Sequence, residues 1–524
     1  MAGRHRADTT RHADLPRPAI GTGEAVGRHR AGAIAATAAT ATVTATATVE
    51  QPEPAGQGGG LGTAVRRGLG LSLLNNALVR LGGVVAGIII ARLLVPEDYG
   101  VFAVALVVLN ALLSINELGV SLAIVRWPRD PREIAPTVAT LSICGSVMLY
   151  LLTFAAAPTV AAGLGAPQAT TIIRVLAFSM ILDGASAVPA ALLTRQFQQG
   201  RRLVADLSGF AVSTGATIAL ALGGHGAWSL AIGYLLGNIA TTVMVWVMAP
   251  DRPRPGWDGA LVPELLGFGL PLAGSSLLVF GVLNAGNVLV GAELGALALG
   301  FYTLAFNLSS WPVSVFSLAV RRVALAAFAR IADDRDALAE GVAKSVALLL
   351  AVTLPVCTML ALLAAPLIRV VYGGKWAPAA EVLMWLAVLG AARVMAELGY
   401  DLLVALARSR AVFAIQGIWL ALLVPGVIVG ARLDGVRGAA AAQALIACAV
   451  VLPSFVFAVH RAGVPARAAL RHVGRPLLAT AVLVVVVLGL GRVVDGDLTR
   501  LLVLGTAGGL ACVAVLYPVV RLAR

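Results

Sequence analysis

The chain has 524 residues, of which 59% are hydrophobic and only 12% are charged, and its mean hydropathy is +0.90. A soluble domain carries about a quarter charged residues, so this composition excludes one. The 39 basic and 26 acidic residues leave a net charge of +13. In a membrane protein such an excess indicates arginine-rich loops on one side, and we expect no nucleic-acid binding.

The first 62 residues are predicted to form a disordered cytoplasmic tail. They are basic and proline-bearing at first and continue as an Ala/Thr run over 31–49. The layout of a signal peptide is missing. An alternative is that translation starts downstream of this tail.

Apolar runs of about twenty residues then predict an all-α polytopic membrane protein. We count fourteen spans, at 69–94, 100–122, 136–157, 170–193, 203–223, 227–249, 264–292, 298–320, 344–365, 379–406, 411–431, 436–459, 475–494 and 499–520. They divide into a six-helix N-lobe (63–249), a proline-rich cytoplasmic linker (250–262), a six-helix C-lobe (263–461) and a C-terminal helix pair (462–524).

An internal repeat supports the two lobes. Shifting residues 76–105 by 200 positions gives five identities in thirty, among them Leu94 with Leu294 and Gly100 with Gly300. In both copies an apolar span, a tight turn, a Gly-aromatic pair and a second span follow in order. Because each lobe has an even number of spans, the lobes are predicted to be parallel repeats, a transporter signature.

The loops predict the orientation. Alternate loops on one side hold 23 basic residues and those on the other side hold seven, so the rich side and both termini are predicted to be cytoplasmic. The seven on the sparse side are Arg92, Arg369, Lys375, Arg432, Arg437, Arg492 and Arg500.

Five segments carry a resemblance to a known family. They are ARLLVPEDYGVFA (91–103), ELGVSLAIVR (117–126), VPAALLTRQF (188–197), GHGAWSL (224–230) and LGFYTLA (299–305). In this order the chain resembles the Wzx-type polysaccharide exporters, or flippases, of the multidrug/oligosaccharidyl-lipid/polysaccharide exporter superfamily. The resemblance covers roughly 65 to 520.

The resemblance implies a two-lobed, alternating-access transporter in the cell membrane. Its substrate would be a polyprenyl-diphosphate-linked oligosaccharide, moved to the outer leaflet for cell-surface polysaccharide or lipopolysaccharide biosynthesis. The implied partners are this lipid-linked substrate, membrane lipids, a glycan polymerase and glycosyltransferases, and the chain is expected to be monomeric. A lipid II flippase and a multidrug/cation antiporter of the same superfamily are alternatives. A membrane-embedded glycan polymerase is disfavoured by the short outer loops.

Charges inside apolar spans are functional candidates, because they are costly there. Arg80, in the first span, and Arg393, in the tenth, could bind the diphosphate, for which the forked donors of arginine are suited. Each could instead be structural. Arg393, Glu397 and Asp401 share one helix face, as a salt bridge or as a cavity and ion-coupling group.

The remaining candidates are a carboxylate and polar residues. Asp183, in the fourth span, either couples transport to an ion or pairs with Arg80. Glu117 either lines the cytoplasmic mouth or is an interfacial charge. Asn284 and Asn287 could bond sugar hydroxyls or another helix.

No catalytic, cofactor or metal site is predicted. A Gly-rich phosphate loop with Lys-Ser/Thr is missing, and the serines lack a His/Asp set. The four cysteines (Cys144, Cys357, Cys448, Cys512) lie in apolar runs without a metal-binding spacing. The chain is therefore predicted to be a transporter and no enzyme, driven by an ion gradient, the membrane potential or the glycan gradient.

Overall fold

A computed structural model of the chain describes residues 82–116, 124, 131–196, 198–249, 254–330, 335–406, 408–465 and 473–522. The described residues form helices joined by short turns, and they include no strand. Ten stretches are long and apolar enough to cross a membrane, and two shorter apolar helices accompany them. Two of the ten contain a break that divides them into two spans. Each of the fourteen predicted spans thus overlaps a helical segment, and the all-α membrane fold is confirmed.

The described residues of the first half of the chain form six helices. They are α1 (Gly82–Leu93), α2 (Pro96–Asn116), α3 (Pro131–Gly163), α4 (Thr170–Arg195), α5 (Gln199–Leu222) and α6 (Ala227–Met248). The start of α2 follows from its sequence, because Pro96 needs no backbone N–H partner in the first turn and Glu97 and Asp98 favour a helix N-terminus.

The second half contains longer helices. They are α7 (Val262–Arg330), α8 (Arg335–Leu362), the short α9 (Ala364–Val371), α10 (Pro378–Ala405), α11 (Ser409–Ile446) and α12 (Leu452–Arg461), with a π-helical turn (Ala447–Val451) between the last two. The C-terminal pair is α13 (Gly474–Leu490) and α14 (Asp497–Leu522).

Two glycines divide the longest helices. Gly295 has φ 79°, and Gly435 has φ 55°. Residues other than glycine rarely adopt a positive φ, so each glycine lets the chain turn back where a helix would otherwise continue. We call the segments before and after Gly295 α7a and α7b, and those before and after Gly435 α11a and α11b.

Helices within each half pack closely. In the first half α3 packs against α4, and α5 packs against α6. At the α5–α6 crossing a Cβ on Gly209 would overlap the Thr241 hydroxyl, so a small residue is needed there. In the second half α7 packs against α10 and α11, and the C-terminal pair packs against α8.

The two halves meet through α2 and α7 at a reciprocal contact. A Cβ on Gly100 would overlap the Ala296 carbonyl oxygen and lie 3.1 Å from the Gly300 nitrogen. A Cβ on Gly300 would overlap the Pro96 carbonyl oxygen and lie 3.2 Å from the Gly100 nitrogen. Residues 96 and 100 therefore meet residues 300 and 296, as they would around a two-fold axis. The 200-residue offset of the internal repeat relates the same positions, 96 to 296 and 100 to 300.

Candidate functional site

The contact between the halves lies at one end of the helices, which we call the closed face. The turns at 94–95, 223–226 and 372–377 lie at this end, where a Cβ on Gly226 would meet Asp98 and the indole of Trp376 reaches α1. Trp376 is fully buried and packs edge-on against the rings of Tyr99, at 5.6 Å between centroids, and Phe301, at 6.1 Å. An apolar plug thus closes this end.

Hydrogen bonds reinforce the plug across the two halves. Trp376 Nε1 donates to the Ala91 carbonyl at 2.8 Å, and Lys375 Nζ donates to the Arg92 carbonyl at 2.7 Å. In return, Arg92 Nε donates to the Val371 carbonyl at 2.7 Å, and an Arg92 terminal nitrogen donates to the Val370 carbonyl. We call these bonds the latch. Partial burial lowers the pKa of Lys375.

The first half carries a polar cluster around Asp183. Asn116 Nδ2 donates to Asp183 Oδ2 at 3.2 Å, and Ser146 Oγ donates to Asn116 Oδ1 at 2.8 Å. Asn116 and Ser146 are buried, whereas Asp183 is exposed. Asp183 lies thirteen residues beyond the start of α4, which is about 20 Å along the helix. The cluster therefore places a carboxylate about halfway along α4 and beside α2, the helix that contacts the second half.

The second half carries a different cluster around Tyr302. Tyr302 OH and the Gln443 side-chain amide are hydrogen-bonded at 2.9 Å, and both side chains are buried. The Tyr302 ring stacks on Phe306 at 6.0 Å, and the Arg393 guanidinium lies 5.8 Å from the Phe306 ring centre. Arg393 is half-buried. The predicted cation of the tenth span is thus placed against α7b.

The predicted asparagines border the same cluster. Asn287 Nδ2 lies 3.5 Å from Asn284 Oδ1, and Asn284 Nδ2 donates to the Phe280 carbonyl at 3.2 Å. A Cβ on Gly286, between the asparagines, would meet Tyr302 and Gln443. Asn287 Oδ1 is buried and has no hydrogen-bond partner among the described residues. One amide oxygen is therefore free to accept a hydrogen bond.

Of the other candidate residues, two lie on α10 and two lie outside the described residues. Glu397 is half-buried and Asp401 is buried, one and two turns beyond Arg393 on α10. Arg80 and Glu117 lie outside the described residues. Within the described ranges, no group of three or more His, Cys, Asp or Glu is placed to hold a metal ion.

Sequence reasoning missed several residues. Gln443 is a polar residue inside an apolar span, so the criterion that selects Asn284 also selects it. Tyr302 and Trp376 give no such signal, because aromatic residues are ordinary in membrane helices.

Comparison with protein families identifies the family of the chain. The family model "Polysaccharide biosynthesis protein" matches residues 89–381. This range contains both polar clusters except Arg393 and Gln443, and it contains the whole latch.

Individual relatives extend the match. The succinoglycan biosynthesis transport protein ExoT of Rhizobium meliloti is 29% identical over 57% of this chain and 60% of its own length. The lipopolysaccharide biosynthesis protein WzxC of Escherichia coli is 22% identical over 68% of this chain and 73% of its own. The teichuronic acid biosynthesis protein TuaB of Bacillus subtilis is 23% identical over 57% and 62%. The chain thus spans less than two thirds of the length of ExoT and TuaB.

Two solved structures share the fold. A lipid II flippase MurJ in an inward closed conformation superposes with a TM-score of 0.70 at 16% identity, over 87% of this chain and all of that one. An inward-facing multidrug resistance MATE family transporter of the MOP superfamily superposes with a TM-score of 0.58 at 17% identity, over 73% and 95%. The chain therefore shares the polytopic helical fold of these two proteins.

Proposed function

We propose, because this chain belongs to the polysaccharide biosynthesis protein family, that it moves a lipid-linked oligosaccharide across the cell membrane. Three of the relatives are named for succinoglycan biosynthesis and transport, lipopolysaccharide biosynthesis and teichuronic acid biosynthesis. The product would serve surface polysaccharide biosynthesis, and the protein would act as a multi-pass transporter without catalytic chemistry.

One observation carries the proposal: the halves meet at the closed face while polar clusters lie deeper on both sides of the junction. Asn116 is on α2, and Tyr302 and Phe306 are on α7b. These are the helices that pack against each other across the junction. Parting of the halves at one end while they close at the other would expose the clusters to each side in turn.

The two clusters suit different parts of the cargo. Arg393 supplies a cation with forked donors for a diphosphate, a role in which Arg80 would assist. Asn284 and Asn287 supply amide groups for sugar hydroxyls, and Glu117 would line the mouth. Asp183, with Glu397 and Asp401, supplies carboxylates to bind a coupling ion.

The closed face is proposed to be the outer one. It carries the seven-residue side of the basic asymmetry, and the positive-inside rule would then put both termini in the cytoplasm. The structure would then be an inward-open state. A monomer working beside a glycan polymerase and glycosyltransferases completes the proposal, with the predicted linker over 250–262 and the C-terminal pair as accessory parts.

The test is transport by the purified full chain in proteoliposomes. A fluorescent polyprenyl-diphosphate oligosaccharide and a fluorescent lipid II are supplied separately, and protection from an impermeant quencher is measured. We expect transport of the oligosaccharide, and Arg393→Gln should reduce it at least tenfold while Arg410→Gln, an exposed control, should not. Transport of lipid II alone, or of neither lipid, would contradict the proposal.

A further inference from the structure

The basic residues of the closed face differ in what they bond. Most of them face a carboxylate: Arg432 with Glu293 at 3.0 Å, Arg437 with Asp434 at 3.4 Å, Arg369 with Asp497 at 3.4 Å and Arg500 with Asp495 at 3.9 Å. Arg92 and Lys375 instead donate to the backbone carbonyls of the latch. No carboxylate of the described ranges forms an ion pair with either. Two cations at the junction of the halves thus lack a counter-charge there.

These two cations share a pocket with a third. Arg92, Arg369 and Lys375 line a pocket of 470 Å³ together with Tyr372, Gly373 and Gly374. The pocket holds three positive groups, against which only Asp497, bonded to Arg369, is described. Like charges brought together repel, and an anion between them removes that repulsion.

Arg92 and Lys375 also have N–H donors that the latch does not use. Arg92 uses two of its five N–H donors in the latch, and Lys375 uses one of its three. Charge-assisted bonds to phosphate oxygens are about twice as strong as bonds between neutral groups. A phosphate could therefore bind all three side chains while the latch stays intact.

The pocket is divided between the halves. Arg92 ends α1 in the first half, whereas Arg369 on α9 and Lys375 in the following turn belong to the second. If the closed face opens, Arg92 moves away from the other two and the pocket is lost. A ligand that needs all three groups binds the closed form more tightly and so shifts the population towards it.

We propose that this pocket is a phosphate-binding site and that an anionic phosphate bound there holds the closed face shut. The phosphate has two possible sources, the headgroup of an anionic phospholipid or a diphosphate that reaches this face on a lipid carrier or in solution. The pocket lies at the helix ends, apart from the polar clusters that border the proposed transport path. Its occupancy would set how readily that face opens, whatever the cargo.

The test uses spin labels on the full chain in nanodiscs. The four cysteines are replaced, and labels are placed at Leu222 and Leu433, which are exposed residues at the closed face, one in each half. The distance distribution is measured with and without inorganic pyrophosphate, in phosphatidylcholine and in phosphatidylglycerol nanodiscs. We expect pyrophosphate, or phosphatidylglycerol itself, to raise the fraction with the short distance. If phosphatidylglycerol raises the short-distance fraction and pyrophosphate then has no further effect, the ligand is a lipid headgroup. If pyrophosphate raises this fraction in both lipids, the ligand is a diphosphate.

Three variants separate an anion site from a structural effect. Arg369→Gln should weaken pyrophosphate binding roughly tenfold, because one charge-assisted contact is lost. Asp497→Asn breaks the same ion pair but keeps the cation, so binding should be kept or strengthened. Arg492→Gln removes a cation of the same face outside the pocket and should leave binding unchanged. Equal losses in Arg369→Gln and Asp497→Asn, or no shift with either probe, would overturn the proposal.

Discussion

The two halves of the molecule have equivalent residues where they contact each other and different residues in their polar clusters. Gly100 and Gly300 occupy equivalent positions of the repeat and pack against each other reciprocally. The deeper clusters have no such equivalence: the first half holds an exposed carboxylate on a Ser146–Asn116 chain, and the second holds a buried Tyr302–Gln443 pair beside Arg393. The shared positions build the closure, and the unshared positions supply the chemistry.

The largest expected effect comes from the shared glycines. In Gly100→Ala the new methyl group overlaps a backbone carbonyl, which cannot move aside as a side chain could. We expect the halves to stay apart at the closed face, with a longer distance between labels at Leu222 and Leu433 and at least a tenfold loss of export. Gly300→Ala should behave alike, because its contact is the reciprocal one.

The matched control is Gly87→Ala on α1. No heavy atom lies within 4 Å of a Cβ built there, and alanine favours a helix over glycine by about 1 kcal/mol. It should export normally. Normal export by Gly100→Ala at equal protein level would mean that the tight contact is not used in the transport cycle.

The second effect concerns the latch. Trp376→Phe keeps a ring against Tyr99 and Phe301 but leaves the Ala91 carbonyl without its indole donor. A buried polar group that loses its partner costs about 1–3 kcal/mol. We expect the ratio of closed to open molecules, read from the same labels, to fall by roughly fivefold to a hundredfold. The exposed Trp257→Phe is the control, and equal distributions in both variants would exclude the indole from closure.

The sequence predicted the spans well but their ends poorly. Apolar runs locate each span, yet α3 covers Pro131–Gly163 where the apolar run covers 136–157. The helix continues past the apolar run at both ends and contains Pro136 and Pro158, and charged residues are tolerated at the interface. Gly295 and Gly435, by contrast, divide helices at the predicted boundaries, since their positive φ is a local property of glycine.

The candidate site was predictable by residue type but not by contact. Arg393, Asn284 and Asn287 stand out because polar groups are rare in membrane helices. The partner of Tyr302 is 141 residues away, and the partner of Asn116 is on another helix. Such pairs depend on how helices cross, which a single sequence with apolar spans on every side does not determine.

A third prediction tests whether the two clusters are independent. Asn116→Ala breaks both links of the first cluster, and Tyr302→Phe removes the hydroxyl bonded to Gln443. Tyr302→Phe should lower the free energy of unfolding by about 1–3 kcal/mol, because it leaves a buried group of Gln443 unpaired. Asn116→Ala should lower it by about 0.5–1.5 kcal/mol, because Ser146 keeps its bond to the Ser142 carbonyl and Asp183 is exposed. The double variant should equal the sum within about 0.5 kcal/mol, since the clusters share no partner. Thermal unfolding measured in one detergent gives all three values, with Ser114→Ala as a control for α2. A larger deviation would show that the halves are coupled through their polar groups.

The smallest effect is expected from an ion pair that stays within one half. Arg432 and Glu293 join the end of α11a to the end of α7a, and the arginine is largely exposed. Exposed ion pairs contribute about 0–1 kcal/mol and weaken as salt is added. Glu293→Gln should therefore change stability little and leave the closed fraction unchanged.

Lys375→Gln, also at the closed face, removes a bond between the halves and should lower the closed fraction severalfold. Measuring both variants with the labels at Leu222 and Leu433 distinguishes the effect of charge at this face from the effect of hydrogen bonds between the halves. If Glu293→Gln opens the face as far as Lys375→Gln does, closure depends on the total charge of the face and not on the bonds that cross the junction.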